Sequence, residues 1–163
     1  MVSRHRHIPT HLSGSIQRYI GNTTERETLK NICQEQDWDF WDFQSIRDFL
    51  IQSHGILYYL PENRTTWKAL VFAQSTYDSA ELLFVYTQPK HRGSGLGGAL
   101  LSHLIESLKS VGNQQAIFLE VRPSNVSAIH LYEALGWRHI DTRKHYYRDG
   151  EDAYVYKLNL THT

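Results

Sequence analysis

Arg92-Gly93-Ser94-Gly95-Leu96-Gly97-Gly98, running on into Ala99-Leu100-Leu101, decides how this chain folds. Before it, residues 80–86 form an apolar, strand-like segment. After it, Leu101, Leu104, Ile105, Leu108 and Val111 recur at helical spacing, and Gly112 is placed to end that helix in a left-handed cap. The glycines therefore stand where a strand hands over to the first turn of an amphipathic helix, expected over residues 97–111. A helix start offers backbone N–H groups without partners and the positive end of the helix dipole, and glycine lets an anion approach that backbone with no Cβ in the way. The stretch reads as a phosphate cradle. From the glycines alone, a plain flexible turn stays open as well.

Upstream, residues 25–36 carry Leu29 and Ile32 on one helical face. The aromatic-rich residues 38–43 lead to a second short helix over 45–51, with Ser45 as its expected N-cap. Residues 56–60 and 67–74 read as strands joined into a hairpin by the loop 61–66. Downstream, residues 116–122 form a strand, and Asn125 caps a helix whose inner face is Ala128, Leu131, Tyr132 and Leu135, with Gly136 as its stop. Residues 138–147 and 153–160 read as two closing strands joined at Asp149-Gly150. Helices, antiparallel strands, then strand-helix-strand-helix-strand-strand predict an α/β fold, with a mixed, mostly antiparallel sheet and helices on both faces.

With 163 residues, the chain is long enough to bury a core without disulfides or a structural metal. We expect one domain over residues 21–163, preceded by an arm over 1–20. Lys plus Arg (17) equal Asp plus Glu (17), so no basic field recruits nucleic acid or a membrane surface. The lone Cys33 excludes an internal disulfide and reads as a small core residue. His5, His7 and His11 lie in a polar, proline-containing start that reads as an arm rather than a metal site, and no metal is assigned. The start lacks the apolar run of a signal peptide and no later segment has the length of a membrane span, so a cytoplasmic location is expected.

Two other phosphate-binding loops compare poorly with this one. A Walker loop ends in Gly-Lys-Ser/Thr, whereas Gly97-Gly98 leads into Ala99, with no lysine for the terminal phosphates and no hydroxyl for magnesium. Gly93, Gly95 and Gly98 do match the dinucleotide spacing, and Glu120 lies near the distance of its ribose-binding acid. The antiparallel strands ahead of the loop argue against that fold, which opens with its glycine unit.

Arg92-x-x-Gly95-x-Gly97 resembles the acetyl-CoA signature of the GNAT acetyltransferase family, Arg/Gln-x-x-Gly-x-Gly/Ala. Leu119-Glu120-Val121-Arg122-Pro123-Ser124-Asn125 with Leu131-Tyr132-Glu133-Ala134-Leu135-Gly136-Trp137 is similar to the segment LEVRxSNxxAIxLYExLGF of its RimI-type ribosomal-protein alanine N-acetyltransferases. Trp137 stands for Phe and Pro123 for a small residue. Arg143-x-x-Tyr146-Tyr147 and Asp149-Gly150-Glu151-Asp152-Ala153 resemble further elements of that type. The resemblance runs from about residue 83 to 158, is weaker around 41–49, and is absent from the first twenty or so residues.

The resemblance implies acetyl transfer from acetyl-CoA by direct attack, with the amides of Arg92, Gly93, Ser94, Gly95, Leu96, Gly97 and Gly98 holding the pyrophosphate. In an extended strand, Phe118, Glu120 and Arg122 face away from Ile117, Leu119 and Val121, so Glu120 by itself reads as an ion-pair member or a base. The family places its general base there. Tyr132, on spacing alone a core residue, matches the family's proton donor to the departing thiolate. A backbone amide of the strand Val85, Tyr86, Thr87 is expected to meet the oxyanion, and Asn125 to contact the CoA arm besides capping its helix. Tyr146, Tyr147, Glu151 and Asp152 are expected on the rim of an acceptor groove. The implied partner is the N-terminal peptide of a protein, with a small-subunit ribosomal protein as the narrower reading. The rivals are a small amine acceptor, such as a polyamine or aminoglycoside, and a CoA-binding module without turnover.

Overall fold

A computed structural model of the chain describes residues 15–36, 42–52 and 54–160. Its elements in order are β1 (Gln17–Arg18), α1 (Thr23–Glu35), α2 (Phe43–Ile51), β2 (Gly55–Pro61), β3 (Trp67–Ser75), β4 (Ser79–Thr87), a 3-10 turn (Pro89–His91), α3 (Leu96–Val111), β5 (Ala116–Val121), α4 (Val126–Ala134), β6 (Arg138–Arg143) and β7 (Ala153–Asn159). The seven strands form one sheet in the order β1-β2-β3-β4-β5-β7-β6. Only β4 and β5 run parallel, joined through α3; the other neighbours are antiparallel.

Two helix boundaries differ from the sequence reading, each for a capping reason. The helix expected from Glu25 starts at Thr23, because the Asn22 side chain accepts from Glu25 N–H at 3.0 Å while Glu25 reaches back to the N–H of Asn22 at 3.1 Å. Glu25 is 5% exposed, and its second oxygen accepts from the Tyr59 hydroxyl at 2.9 Å, so this buried carboxylate is fully engaged. Ser45 is not the cap of α2. Asp42 is, accepting from Ser45 N–H at 2.7 Å, which places Ser45 in the first turn. The expected arm over 1–20 ends inside the sheet, since Gln17 and Arg18 pair with Tyr59 and Tyr58. His5, His7 and His11, and the aromatic residues 38–41, lie outside the described residues.

A second correction concerns the closing strands. Extended structure expected to residue 147 stops at Arg143, and residues 144–152 form a folded loop with Asp149-Gly150 at its tip. The apolar strand β7 takes the inner position beside β5, and the polar β6, exposed along nearly its whole length, takes the edge.

The core has two layers. Leu100, Leu101, Leu104 and Leu108 of α3 and Tyr132 of α4 pack on Leu82, Ile117, Leu119 and Val121 on one face of the sheet. Leu29 and Ile32 of α1 and Ile46 of α2 pack on Leu57, Leu70 and Phe72 on the other. Each fully buried leucine contributes roughly 1.5–3 kcal/mol relative to exposure. Val111, on the expected buried face, is 64% exposed; that face ends one turn before Gly112. Among the described residues no helix is long and apolar enough to cross a membrane.

Candidate active site

The phosphate loop begins where β4 ends. Arg92 Nε donates back to the Thr87 carbonyl at 3.2 Å, and Ser94 Oγ donates to the His91 carbonyl, which folds the loop over the 3-10 turn. Gly93 and Gly95 adopt φ of 76° and 82°, the left-handed region that a side chain resists, and a Cβ at either would meet no atom within 4 Å. The concave side of the loop is thus open. The first bond of α3 runs from Ala99 N–H to the Gly95 carbonyl, so the N–H groups of Leu96, Gly97 and Gly98 belong to the unpaired first turn. These residues fit a pyrophosphate. Glu62, from the β2–β3 loop, clamps the turn from outside by accepting from Lys90 Nζ at 2.7 Å and contacting His91 Nε2 at 3.0 Å, and these bonds hold its carboxyl below the usual range. Sequence reading missed this clamp, because nothing in the spacing links residues 62 and 90.

Beside the loop the sheet opens. Residues 79–82 of β4 pair with 116–119 of β5, and the pairing stops there although both strands continue. Phe72 pairs with Phe84 and Ala73 with Leu82, so Leu83 is the extra residue of a β-bulge where the parting begins. Val85, Tyr86 and Thr87 therefore turn one backbone edge toward a cleft rather than toward β5. A Cβ on Gly97 would lie 3.6 Å from Val85 and Leu131, so the start of α3, the free end of β4 and the helix α4 converge at its mouth. Asn125 heads α4 and accepts from Ala128 N–H at 3.3 Å, as its capping role requires.

Glu120 lies on the opposite face of β5 from Leu119 and Val121. Its side chain is 15% exposed, and Arg143 Nη1 stands 2.7 Å from Oε1. The partner is therefore Arg143 on the edge strand, not Arg122, which turns to Asp149 and Glu151 in the loop 144–152. The Tyr146 hydroxyl also bonds Glu120, and burial together with that carboxylate pushes its phenol well above its ordinary range. A cavity of about 240 Å³ adjoins the carboxylate, lined also by Glu81, Phe118, Arg143 and Val155. Burial and the negative charge of Glu120 raise the Glu81 carboxyl, against the opposing pull of Arg143. Glu81 was not singled out from sequence; its place across from Phe118 on the neighbouring strand brings it there.

Tyr132 occupies the other face, 8% exposed, with its ring 5.9 Å from that of Trp137. Burial, then Tyr147, pushes its phenol well above the ordinary range, so it keeps its proton throughout the neutral range. Glu120 and Tyr132 thus face opposite sides of the sheet. Glu120 follows Leu119, the last residue of β5 that pairs with β4, so it stands beside the parting of the two strands.

The four residues expected on an acceptor rim divide by their contacts. Tyr146 and Tyr147 pack edge to face at 5.2 Å, and Tyr147 lies under the Arg122 guanidinium at 3.9 Å. Glu151 and Asp152, expected on that rim, are engaged by the protein itself: Glu151 accepts from Arg122 at 2.7 Å and Ser124 N–H at 2.9 Å in the turn after β5, Asp152 from Lys144 at 2.8 Å and His145 N–H at 2.9 Å within the loop. Among the described residues no cluster of three or more His, Cys, Asp or Glu could hold a metal ion.

The model of a family described as Acetyltransferase (GNAT) family matches residues 26–137. An N-alpha-acetyltransferase of Sulfurisphaera tokodaii is 46% identical over 66 residues, covering 40% of this chain and 40% of that protein. The ribosomal protein bS18-alanine N-acetyltransferase of Escherichia coli K12 is 41% identical over 96 residues, 57% of this chain and 64% of that protein. The chain therefore spans between two fifths and somewhat under two thirds of the length of these relatives. The crystal structure of the ribosomal-protein-S18-alanine N-acetyltransferase from Escherichia coli superposes with a TM-score of 0.77 at 30% identity, covering 91% of this chain and 96% of that one. A chain in the crystal structure of the NatC complex bound to Gag peptide and CoA has the same fold, with a TM-score of 0.75 at 18% identity, covering 90% of this chain and 99% of that one.

Proposed function

This chain belongs to the GNAT acetyltransferase family, and from that membership we propose that it transfers an acetyl group from acetyl-CoA to the N-terminal α-amine of a protein. One observation carries the reading: the open glycine loop follows a strand that bulges and parts from β5 just before Glu120, whose carboxylate Arg143 holds. When bound, acetyl-CoA supplies the activated acetyl thioester.

The loop amides and the α3 N-terminus would hold its pyrophosphate, and Asn125 its arm. Glu120 Oε accepts a proton from the incoming ammonium, which has a pKa of about 8 and must be neutral to attack. An N–H of Val85, Tyr86 or Thr87 donates to the developing oxyanion. Tyr132 donates its phenolic proton toward the departing thiolate. Arg143 and Tyr146 orient Glu120, and Tyr146 and Tyr147 wall the acceptor side. With Glu151 bonded to Arg122 and Ser124 and Asp152 to Lys144 and His145, the rim offers phenols more than carboxylates, which suits a peptide backbone better than a polyamine. The narrower reading is an N-terminus beginning with Ala, as in a small-subunit ribosomal protein, supported by the likeness to the bS18-alanine enzymes. A cytoplasmic location goes with that reading.

The test is to incubate the protein with acetyl-CoA and a panel of N-terminal peptides and small amines, reading thiol release and product mass. Acetylation of an Ala-leading peptide at its α-amine, with lysine side chains spared, is expected. An α-amine ionises about two to three pKa units below a lysine ammonium, so one carboxylate deprotonates it far more easily. Turnover of spermidine or an aminoglycoside with no peptide product would overturn the acceptor assignment, and binding without turnover of any amine would leave a CoA-binding module.

A further inference from the structure

Arg122 lies one residue beyond β5, and the acceptor-side loop converges on it. Its Nη1 donates to Glu151 Oε2 at 2.7 Å and to Asp149 Oδ2 at 2.8 Å, and its guanidinium lies 3.9 Å from the centre of the Tyr147 ring. The N–H of Ser124, two residues on, donates to the other oxygen of Glu151 at 2.9 Å, so one carboxylate grips the chain at two points. Those points belong to a closed turn. Asn125 N–H donates to the Arg122 carbonyl at 2.9 Å, and Pro123 presets the first corner. Asn125 then caps the helix that carries Tyr132. The Arg122 and Glu151 side chains are only 24% and 25% exposed, so the charge-assisted bond holds more firmly than one on open surface. Both acids respond: the Glu151 N–H and then Arg122 hold the Asp149 carboxyl below its usual range, and Ser124 and then Arg122 do the same for Glu151.

We propose, resting on the acetyltransferase reading of the cleft, that Arg122 is a positioning residue that couples acceptor binding to occupancy of the CoA site. The turn it closes faces the cofactor through Asn125 and the acceptor through Glu151 and Tyr147. A ligand that immobilises the turn from one side steadies the tyrosine wall on the other, and the acceptor then binds a surface already ordered. Such coupling is reciprocal by necessity, so the peptide tightens CoA by the factor with which CoA tightens the peptide.

Calorimetric titration of unacetylated CoA and of an Ala-leading peptide, each alone and with the other saturating, tests this on wild type, Arg122→Gln, Arg122→Lys and Glu151→Gln. Wild type should show mutual tightening of about fivefold or more. In Arg122→Gln and Glu151→Gln that factor should fall to near unity while CoA alone binds much as before. Arg122→Lys should keep part of it, because an ammonium still pairs with Glu151 but cannot lie flat on Tyr147. A merely structural role would weaken each affinity and leave their ratio intact. Glu151→Gln leaves Arg122 in place and weakens only its charged bond to the loop, so it reads the coupling even if the Arg122 variants fold poorly. No mutual tightening in wild type, or undiminished tightening in Glu151→Gln and in folded Arg122→Gln, overturns the proposal. Failure of wild type to bind CoA at all overturns the acetyltransferase reading beneath it.

Discussion

The two residues assigned to proton transfer occupy opposite environments, and this makes their roles separable. Glu120 is a partly exposed carboxylate steered by Arg143 at 2.7 Å, while Tyr132 is a phenol shut into the core. Glu120→Gln is expected to lose about 10²-fold or more in rate at neutral pH and to recover partly as rising pH leaves more of the amine already neutral. Tyr132→Phe removes the donor to the thiolate and should not recover in alkali. Rate profiles against pH, read by thiol release with an Ala-leading peptide, distinguish the two; profiles parallel to wild type in both variants would remove both residues from these roles. Glu120 was legible in the sequence because strand alternation and the family motif agree on it. Its partner was not, since Arg122 is two positions away along the strand while Arg143 reaches Glu120 only through the pairing of β5, β7 and β6.

Among the elements, the loop between β4 and α3 was the most legible, and its glycines can be tested one against another. Gly95 has φ of 82°, so Gly95→Val strains the backbone and places a branched side chain in the open cradle. Gly112 has φ of 83° and caps the far end of the same helix, so Gly112→Val carries the same strain, of about 1–2 kcal/mol, away from the cleft. Acetyl-CoA affinity by calorimetry should fall in the first variant and hold in the second, with similar losses of thermal stability in both. Equal affinities in both folded variants would separate the loop from cofactor binding. Helix boundaries were less legible, because Asn22 and Asp42 compete with nearby residues for the same orphan N–H groups and only the folded chain shows which side chain reaches them. Residues 144–147 read as the end of a strand, yet Asp152 bonded to Lys144 and the His145 N–H, and Glu151 bonded to Arg122 and the Ser124 N–H, stabilise a folded loop instead.

Across the whole molecule, buried phenols set an alkaline limit to stability. Burial and the adjoining Glu133 push Tyr156 up to about 12, and Tyr59, Tyr132 and Tyr146 are raised as well. An unfolded chain releases these protons near pH 10 while the folded chain still holds them, so their contribution is fully present below about pH 10 and is lost as pH rises toward the folded values. Urea unfolding midpoints should fall over that window, and less steeply in Tyr156→Phe than in wild type. A flat midpoint from neutrality to pH 11 would show that these phenols are not held as the structure has them, the window being that of the ordinary phenol and upward. The sequence by itself determined most of the strands and helices and the faces of their inner residues, because periods of two and 3.6 are local properties of the chain. It also placed the glycine loop at a strand-to-helix junction, since that position is legible without distant partners. Only the tertiary structure decided that β7 lies inside β6, that β4 and β5 part after Leu82 and Leu119, and that Glu120 meets Arg143 and Glu81. Those depend on strand order and register, which arise from which apolar faces compete for the same core, and no short stretch of sequence carries the outcome of that competition.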